Sequence, residues 1–320
     1  MIVELAPAKA NLVLHVGPRR PDELHEICSI FASLELADHV CVEPLGPAVR
    51  AGAEPRVQAG HGGDRVECPG VAGPNLATEA LAAYRAAAGD GGPPPLHARI
   101  EKRIPIAAGL GGGSADAAAT LRAADALAAR PLGLNRLRKL AFAIGADVPS
   151  QLEPRHALVT GAGERVEPMV FPPLPVVLVV QPEGLATGRV YAEVDRRGDV
   201  RSHLEPDRVR ALAGAGASER ILAALENDLE PAARALRPEI AAISDRLRAA
   251  GARAAVVSGS GPTVLGVFEH DDAARRAAYG MEGAIVTRLR DAAAPTGVTD
   301  EERSRPTEPV APAAAGQMPA

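Results

Sequence analysis

Residues 104–114, Ile-Pro-Ile-Ala-Ala-Gly-Leu-Gly-Gly-Gly-Ser, constrain this chain more than any other stretch. Upstream, His97–Ile106 alternates like a strand, and downstream Ala115–Ala129 is a helix-forming run of Ala and Leu. Four glycines within five residues, Gly109 and Gly111–Gly113, exceed what one tight turn requires. Consecutive glycines let backbone N–H groups turn inward, and the start of the following helix adds its dipole, so phosphate is the natural ligand. The competing reading is a strand-to-helix turn that needs glycine only for positive φ. No GxxxxGK[ST] pattern is present, which excludes a Walker-type NTPase. No βαβ unit with an acidic residue at the right distance supports a dinucleotide fold.

The rest of the chain organises around this loop. Ile2–Leu5 and Ala10–Val16 read as two short strands broken by Pro7. Leu24–Leu36 fits helix or strand, and residues 44–74 are dense in Gly and Pro, as hairpins and loops are. Asn75 can cap a helix over Asn75–Ala88, and Asn135–Ile144 forms another. Pro172–Pro175 introduces a strand at Val176–Val180 and marks the best domain boundary. Helices are expected near Glu219–Leu225 and Pro238–Ala250. A strand at Ala254–Val257 then enters Ser258-Gly-Ser-Gly-Pro262 and re-emerges at Thr263–Phe268. Residues 1–172 and 173–290 would be two domains, and 291–320, without Leu, Ile, Phe or Tyr, a disordered tail.

Composition excludes several functions. With 35 basic and 40 acidic residues the net charge is −5, which leaves no electrostatic footprint for nucleic acid or an anionic membrane. No Trp, 3 Tyr and 4 Phe leave little surface for stacking bases of a strand. No apolar run approaches the length of a membrane span, and a cytoplasmic location follows as the expectation. Cys28, Cys41 and Cys68 lack the spacing of a zinc site, and their odd number argues against a disulfide framework. Only Lys9, Lys102 and Lys139 are lysines in an otherwise arginine-biased chain. A lysine that persists against such a bias marks a place where a compact ammonium is needed.

The glycine-rich stretch resembles the second signature of the GHMP kinase superfamily, Pro-x-x-x-Gly-Leu-Gly followed by small residues and Ser. Pro7-Ala-Lys-Ala-Asn-Leu12 resembles the first signature and Ser258-Gly-Ser-Gly-Pro-Thr263 the third, in the same order. Arg20-Pro-Asp-x-x-His-Glu26 and Gly145-Ala-Asp-Val-Pro149 are similar to segments of the 4-diphosphocytidyl-2-C-methyl-D-erythritol kinases within that superfamily. The resemblance runs from residue 5 to about residue 270. It implies an α+β, two-domain GHMP kinase fold, with an N-terminal domain like the second domain of ribosomal protein S5 and a ferredoxin-like C-terminal domain. The implied activity is ATP- and Mg²⁺-dependent phosphorylation of the 2-hydroxyl of a cytidine diphosphate sugar alcohol in isoprenoid precursor synthesis, by a monomer or weak homodimer. Two alternatives stay open: a homoserine- or mevalonate-type kinase, which would differ at residues 20–26, and a relative that binds nucleotide without turnover.

The resemblance also distributes roles. Lys9 and Asp147 would be the catalytic pair at the acceptor hydroxyl. ATP would lie on Pro105, Ala107, Ala108, Gly109, Leu110, Gly111, Gly112, Gly113 and Ser114, with Asn75 and Lys102 near the adenosine and Ser114 available to Mg²⁺. Asn11, Leu24, His25, Tyr191, Ser258, Gly259, Ser260 and Gly261 would hold the second substrate, with Leu24 standing where relatives carry a stacking tyrosine. Residue chemistry alone offers a plainer reading for several: a turn aspartate for Asp147, a solvated strand-end lysine for Lys9, a surface histidine for His25. Helix caps serve for Ser114 and Asn75, and a hairpin turn for 258–261.

Overall fold

Pro7 does not break the first strand. In the computed structural model, which describes residues 1–46, 57–59, 61–71, 73–214 and 216–291, β1 (Ile2–Arg19) runs unbroken against β2 (His25–Pro44). The chain tolerates the proline because the ladder shifts there: Pro7 pairs with Ala37, but Lys9 pairs with Ser33. Proline has no N–H to give, and an irregularity removes the need for one. Lys9 then turns its own N–H to the carbonyl of Leu110, 2.9 Å away, tying the strand to the glycine-rich loop. On β2 the residues skipped by β1 reach elsewhere, Leu34 bridging to Leu289 and the Leu36 N–H donating to Thr287 Oγ1 at 3.1 Å. The ambiguous stretch 24–36 is therefore strand, apart from Leu24 in the turn before it.

The first sheet also contains β3 (Val57–Ala59), β4 (Arg65–Glu67), β5 (Leu96–Glu101), β6 (Ala157–Gly161) and β7 (Arg165–Pro168). The helix α1 (Leu76–Ala88) begins as expected, with the Asn75 side chain accepting the Ala77 N–H at 2.9 Å. The β5 strand is shorter than its alternating pattern. It ends where the carboxylate of Asp38 accepts the backbone N–H groups of Arg103 and Ile104, which leave the ladder to form the loop. The next helix, α2 (Gly112–Leu127), starts three residues earlier than the Ala-rich run suggests. Gly112, Gly113 and Ser114 thus form its first turn, and Gly111, not Ser114, is the N-cap. Alanines 115, 117, 118, 119, 123 and 124 are buried, a smooth face that lets α2 lie close on β1 and α1.

After α3 (Leu134–Ile144) and the single turn α4 (Val148–Gln151), a second sheet opens at β8 (Pro175–Val179). The chain continues through α5 (Thr187–Arg197), α6 (Pro206–Arg210), α7 (Ala217–Ala223), β9 (Glu226–Asn227), α8 (Glu230–Leu236) and α9 (Glu239–Ala249). It closes with β10 (Ala254–Val257), β11 (Val264–Val267), α10 (Asp271–Ala278) and β12 (Ala284–Arg288). The order β10-β11-β8-β12, antiparallel throughout, is the ferredoxin-like arrangement. Helices α5, α6, α8 and α10 carry no counterpart in the sequence reading, because short, charged amphipathic turns are hard to tell from loops. The β9 strand leaves the second sheet's segment and pairs parallel with β1, Val13 opposite Glu226. Ala8, Ala10 and Leu12 of β1 pack in one cluster with Val176, Val256 and Leu265, so the two sheets share a core. The expected tail, beyond Asp291, lies outside the described residues.

Candidate active site

Two clefts meet at the glycine-rich loop. The larger, about 320 Å³, is lined by Asn75, Lys102 and the loop from Pro105 to Ser114, and by Asp116 beneath it. The smaller, about 230 Å³, is lined by Lys9, Asn11, Asp147, Tyr191, Gly259 and Ser260 among others. Gly109 and Gly111 line both, so the same few backbone atoms separate the two spaces. These are the positions where glycine is required. Gly109 has φ +75°, and a Cβ there would meet the carbonyl oxygens of Ser258 and Gly261 at 2.7 and 2.8 Å; at Gly111, φ +68°, it would meet Lys9 Cγ at 2.8 Å.

At the smaller cleft, Lys9 is only 5% exposed. Its ammonium lies 3.3 Å from Asp147 Oδ2, donates to Asn11 Oδ1 at 2.8 Å and sits 4.4 Å from the centre of the Phe31 ring. The solvated strand-end lysine is therefore set aside. Asp147 precedes α4 but makes no side-chain cap; its carboxylate, 35% exposed, turns instead to Lys9. Tyr191, on α5, lines the same cleft and stacks on His25, ring centres 5.3 Å apart. Burial, with Asp147's charge adding, pushes the Tyr191 phenol above its usual range, so it stays neutral and able to donate. His25 is buried behind Tyr191, its Nδ1 3.0 Å from the Gly17 carbonyl and its Nε2 3.2 Å from Asp195. Leu24 is 44% exposed in the turn before β2, away from the lining of either cleft, where Leu14, Ile27 and Leu229 supply the apolar surface.

The segment Ser258–Thr263 is a hairpin turn, with the Ser258 N–H donating to Thr263 O. It also closes on the site. Ser258 Oγ donates to the Gly109 carbonyl at 3.2 Å, and Ser260 Oγ lies 3.0 Å from Thr187 Oγ1. Asn227 holds the turn from behind, donating to the carbonyls of Val257 and Gly259 at 2.8 Å each.

At the larger cleft, Ser114 sits in the third position of α2, half-buried on the wall. The first turn of a helix has N–H groups without intrahelical partners, which suits an anion. Lys102 is held from below by two buried carboxylates, Asp38 and Asp116. Burial pushes Asp116 up to about 8, the charge of Asp38 adding and Lys102 opposing. Burial works against the Lys102 ammonium, but the two carboxylates outweigh it and raise its pKa. Asp38, Asp116, Phe31 and Asn227 are not marked by any motif in the sequence. A lone Asp inside the apolar strand run around Asp38, and another among the alanines of α2, were the available signals.

The family model described as GHMP kinases N terminal domain matches residues 75–153, and that described as GHMP kinases C terminal matches 209–284. The 4-diphosphocytidyl-2-C-methyl-D-erythritol kinase of Kineococcus radiotolerans is 41% identical over 298 residues, covering 90% of this chain and 88% of its own. The chain belongs to the 4-diphosphocytidyl-2-C-methyl-D-erythritol kinase family. The member of this kinase family from Thermobifida fusca is 40% identical over 86% of this chain and 89% of its own. A crystal structure of 4-(cytidine 5'-diphospho)-2C-methyl-D-erythritol kinase superposes with TM-score 0.71 at 36% identity, over 90% of this chain and 99% of that one. A homoserine kinase from Cytophaga hutchinsonii, at 16% identity and TM-score 0.64, shares the fold, over 91% of this chain and 94% of its own.

Proposed function

We propose that this chain transfers the γ-phosphoryl group of ATP to the 2-hydroxyl of 4-diphosphocytidyl-2-C-methyl-D-erythritol, in the non-mevalonate route to isoprenoid precursors. The observation that carries the reading is the Lys9–Asp147 pair, 3.3 Å apart in a cleft whose wall, Gly109 and Gly111, is also the wall of the loop-lined cleft beside it. Phosphoryl transfer needs donor and acceptor side by side, and two clefts that adjoin at Gly109 and Gly111 place them so, most of the catalysis being positioning and charge.

ATP occupies the larger cleft in this reading. The backbone N–H groups of the loop from Pro105 through Ala107, Ala108 and Leu110 to Gly113 cradle its phosphates, and Asn75 and Lys102 lie toward the adenosine. Mg²⁺ bound with the nucleotide supplies positive charge at the phosphates. Ser114, with a hydroxyl on the cleft wall, is the oxygen donor suited to such a hard cation. The acceptor alcohol occupies the smaller cleft. Its 2-oxygen bonds to the γ-phosphorus as the bond to the ADP oxygen breaks, and the hydroxyl proton passes to Asp147. Lys9 stabilises the charge on the transferred group. Asn11, His25 and Tyr191 orient the cytidine-bearing substrate, and Ser258–Gly261 close over the phosphates. Residues 1–172 and 173–290 act as the two GHMP kinase domains. The enzyme works in the cytoplasm as a monomer or weak homodimer, without nucleic acid or membrane.

A coupled ADP-release assay tests the reading against 4-diphosphocytidyl-2-C-methyl-D-erythritol, free 2-C-methylerythritol 4-phosphate, homoserine and mevalonate. Turnover is expected with the first. A preference for any of the other three would make this a different small-molecule kinase, and nucleotide binding with no ADP release from any acceptor would make it a non-catalytic relative.

A further inference from the structure

Ser29, on β2 and fully buried, has one hydroxyl proton and two neighbours that bear on its use. The carbonyl of Val13, 2.5 Å away, can only accept, so it takes the proton. Ser29 then shows Asn11, at 2.9 Å, a lone pair, and Asn11 must meet it with the amide nitrogen. The two ends of a planar amide are not independent. With its nitrogen committed to Ser29, Asn11 aims its oxygen at Lys9, whose ammonium donates to it at 2.8 Å. The far end agrees, since an ammonium has no lone pair to offer an amide nitrogen. A directed chain thus runs from the backbone of β1 through Ser29 and Asn11 to Lys9, and Lys9 lies 3.3 Å from Asp147.

We propose that Ser29 is a positioning residue for phosphoryl transfer: it orients the amide of Asn11 so that the ammonium of Lys9 is held beside Asp147. The inference rests on the reading of Lys9 and Asp147 as the transfer pair. Its location explains why a hydroxyl serves there. The register of β1 against β2 shifts between Asn11 and Val13, and a ladder irregularity leaves backbone groups seeking other partners. The Ser29 hydroxyl gives its proton to the Val13 carbonyl beside that shift and anchors Asn11 in the same act. Without the hydroxyl, the Asn11 nitrogen is a buried donor with no acceptor, and its amide turns away to find one. Lys9 then loses one of the groups that fix it, at a site where small displacements are costly in rate.

The test separates the hydroxyl from the volume it fills. Ser29→Thr and Ser29→Val differ by a hydroxyl for a methyl at equal size. We expect Ser29→Thr to keep turnover within about threefold of the parent, and Ser29→Val to lose about tenfold in kcat with the KM for ATP unmoved. Should both larger side chains fail to fold, Ser29→Ala carries the comparison: about a tenfold loss in kcat in a protein whose melting shows it folded. Equal kcat for the Thr and Val variants, or parental kcat for a folded Ser29→Ala, overturns the proposal. The underlying reading fails on a separate result, parental turnover in Asp147→Asn. If Asp147→Asn is inactive while Ser29→Val is not impaired, only the role of Ser29 is lost.

Discussion

Lys9, buried, and Lys102, partly buried, stand on neighbouring clefts, and they are compensated differently. Lys102 faces two carboxylates, both nearly closed to solvent; burial keeps Asp116 largely protonated near neutral pH, so the ionised Asp38 matches the ammonium one for one. Lys9 faces one half-exposed carboxylate, a neutral amide and an aromatic ring. An ammonium matched at close range by a fully buried, ionised carboxylate is committed to the structure, because its positive charge is already neutralised. One compensated only in part keeps a net attraction for a further anion, which is what a transferring phosphoryl group presents. The difference teaches that burial of a lysine does not mark its role; the balance of charge around it does.

The sharpest way to break this comparison is at the under-compensated lysine's partner. Asp147→Asn should lower kcat by about 10²- to 10⁴-fold while leaving the KM for ATP nearly unchanged, measured by ADP release. Comparable turnover in the folded variant would remove Asp147 from the chemistry. At the other lysine the damage should be to stability. Lys102→Met leaves the ionised Asp38 buried without its counter-charge, a change that costs about 3–5 kcal/mol, and denaturant unfolding should show it. A midpoint close to the parent's would mean that the carboxylates are not held by Lys102.

Smaller effects sharpen the picture. If Tyr191 is a platform for the cytosine, Tyr191→Ala should raise the KM for the cytidine substrate about tenfold without moving that for ATP, since stacking on one base is worth about 1–3 kcal/mol. Leu24→Tyr should lower the same KM by less, about threefold, because its side chain begins in an exposed turn. A pH series provides the smallest test. Asp116 titrates near 8 in the folded protein against an ordinary value of 3.8, so folding takes up a proton between those values. Its contribution is full below about pH 4 and is lost as pH rises through 8. Melting temperature should therefore fall from pH 5 to pH 8 more steeply in the parent than in Asp116→Asn; parallel curves would show that Asp116 is ionised throughout.

Much of the site was legible from local pattern. The glycine-containing segments at 105–114 and 258–262, the Asn75 cap and the α2 run could be read because glycine and cap chemistry act within a few residues. Lys9, Asn11 and Asp147 could be singled out as candidates from the motifs around them. The plain alternatives for Lys9 and Asp147 were removed only by contacts between β1 and the start of α4, elements far apart in the chain. The β1 strand was misjudged because Pro7 argues locally for a break, whereas the register shift that accommodates it depends on β2 and β12.

The amino-acid sequence by itself determined where backbone could turn tightly enough to meet a phosphate, that α1 begins at the Asn75 cap, and which few residues are candidates for the chemistry. Those properties follow from φ preferences, periodicity and side-chain type, all set within a turn or two of chain. Only the tertiary structure decided which lysine is free to act on a ligand, that Phe31, Ser29 and Asn227 stand behind the site, and that Leu24 stays in the exposed turn while Tyr191 reaches the cleft. Charge balance and hydrogen-bond direction depend on neighbours brought together from remote parts of the chain, and no local pattern records who those neighbours are.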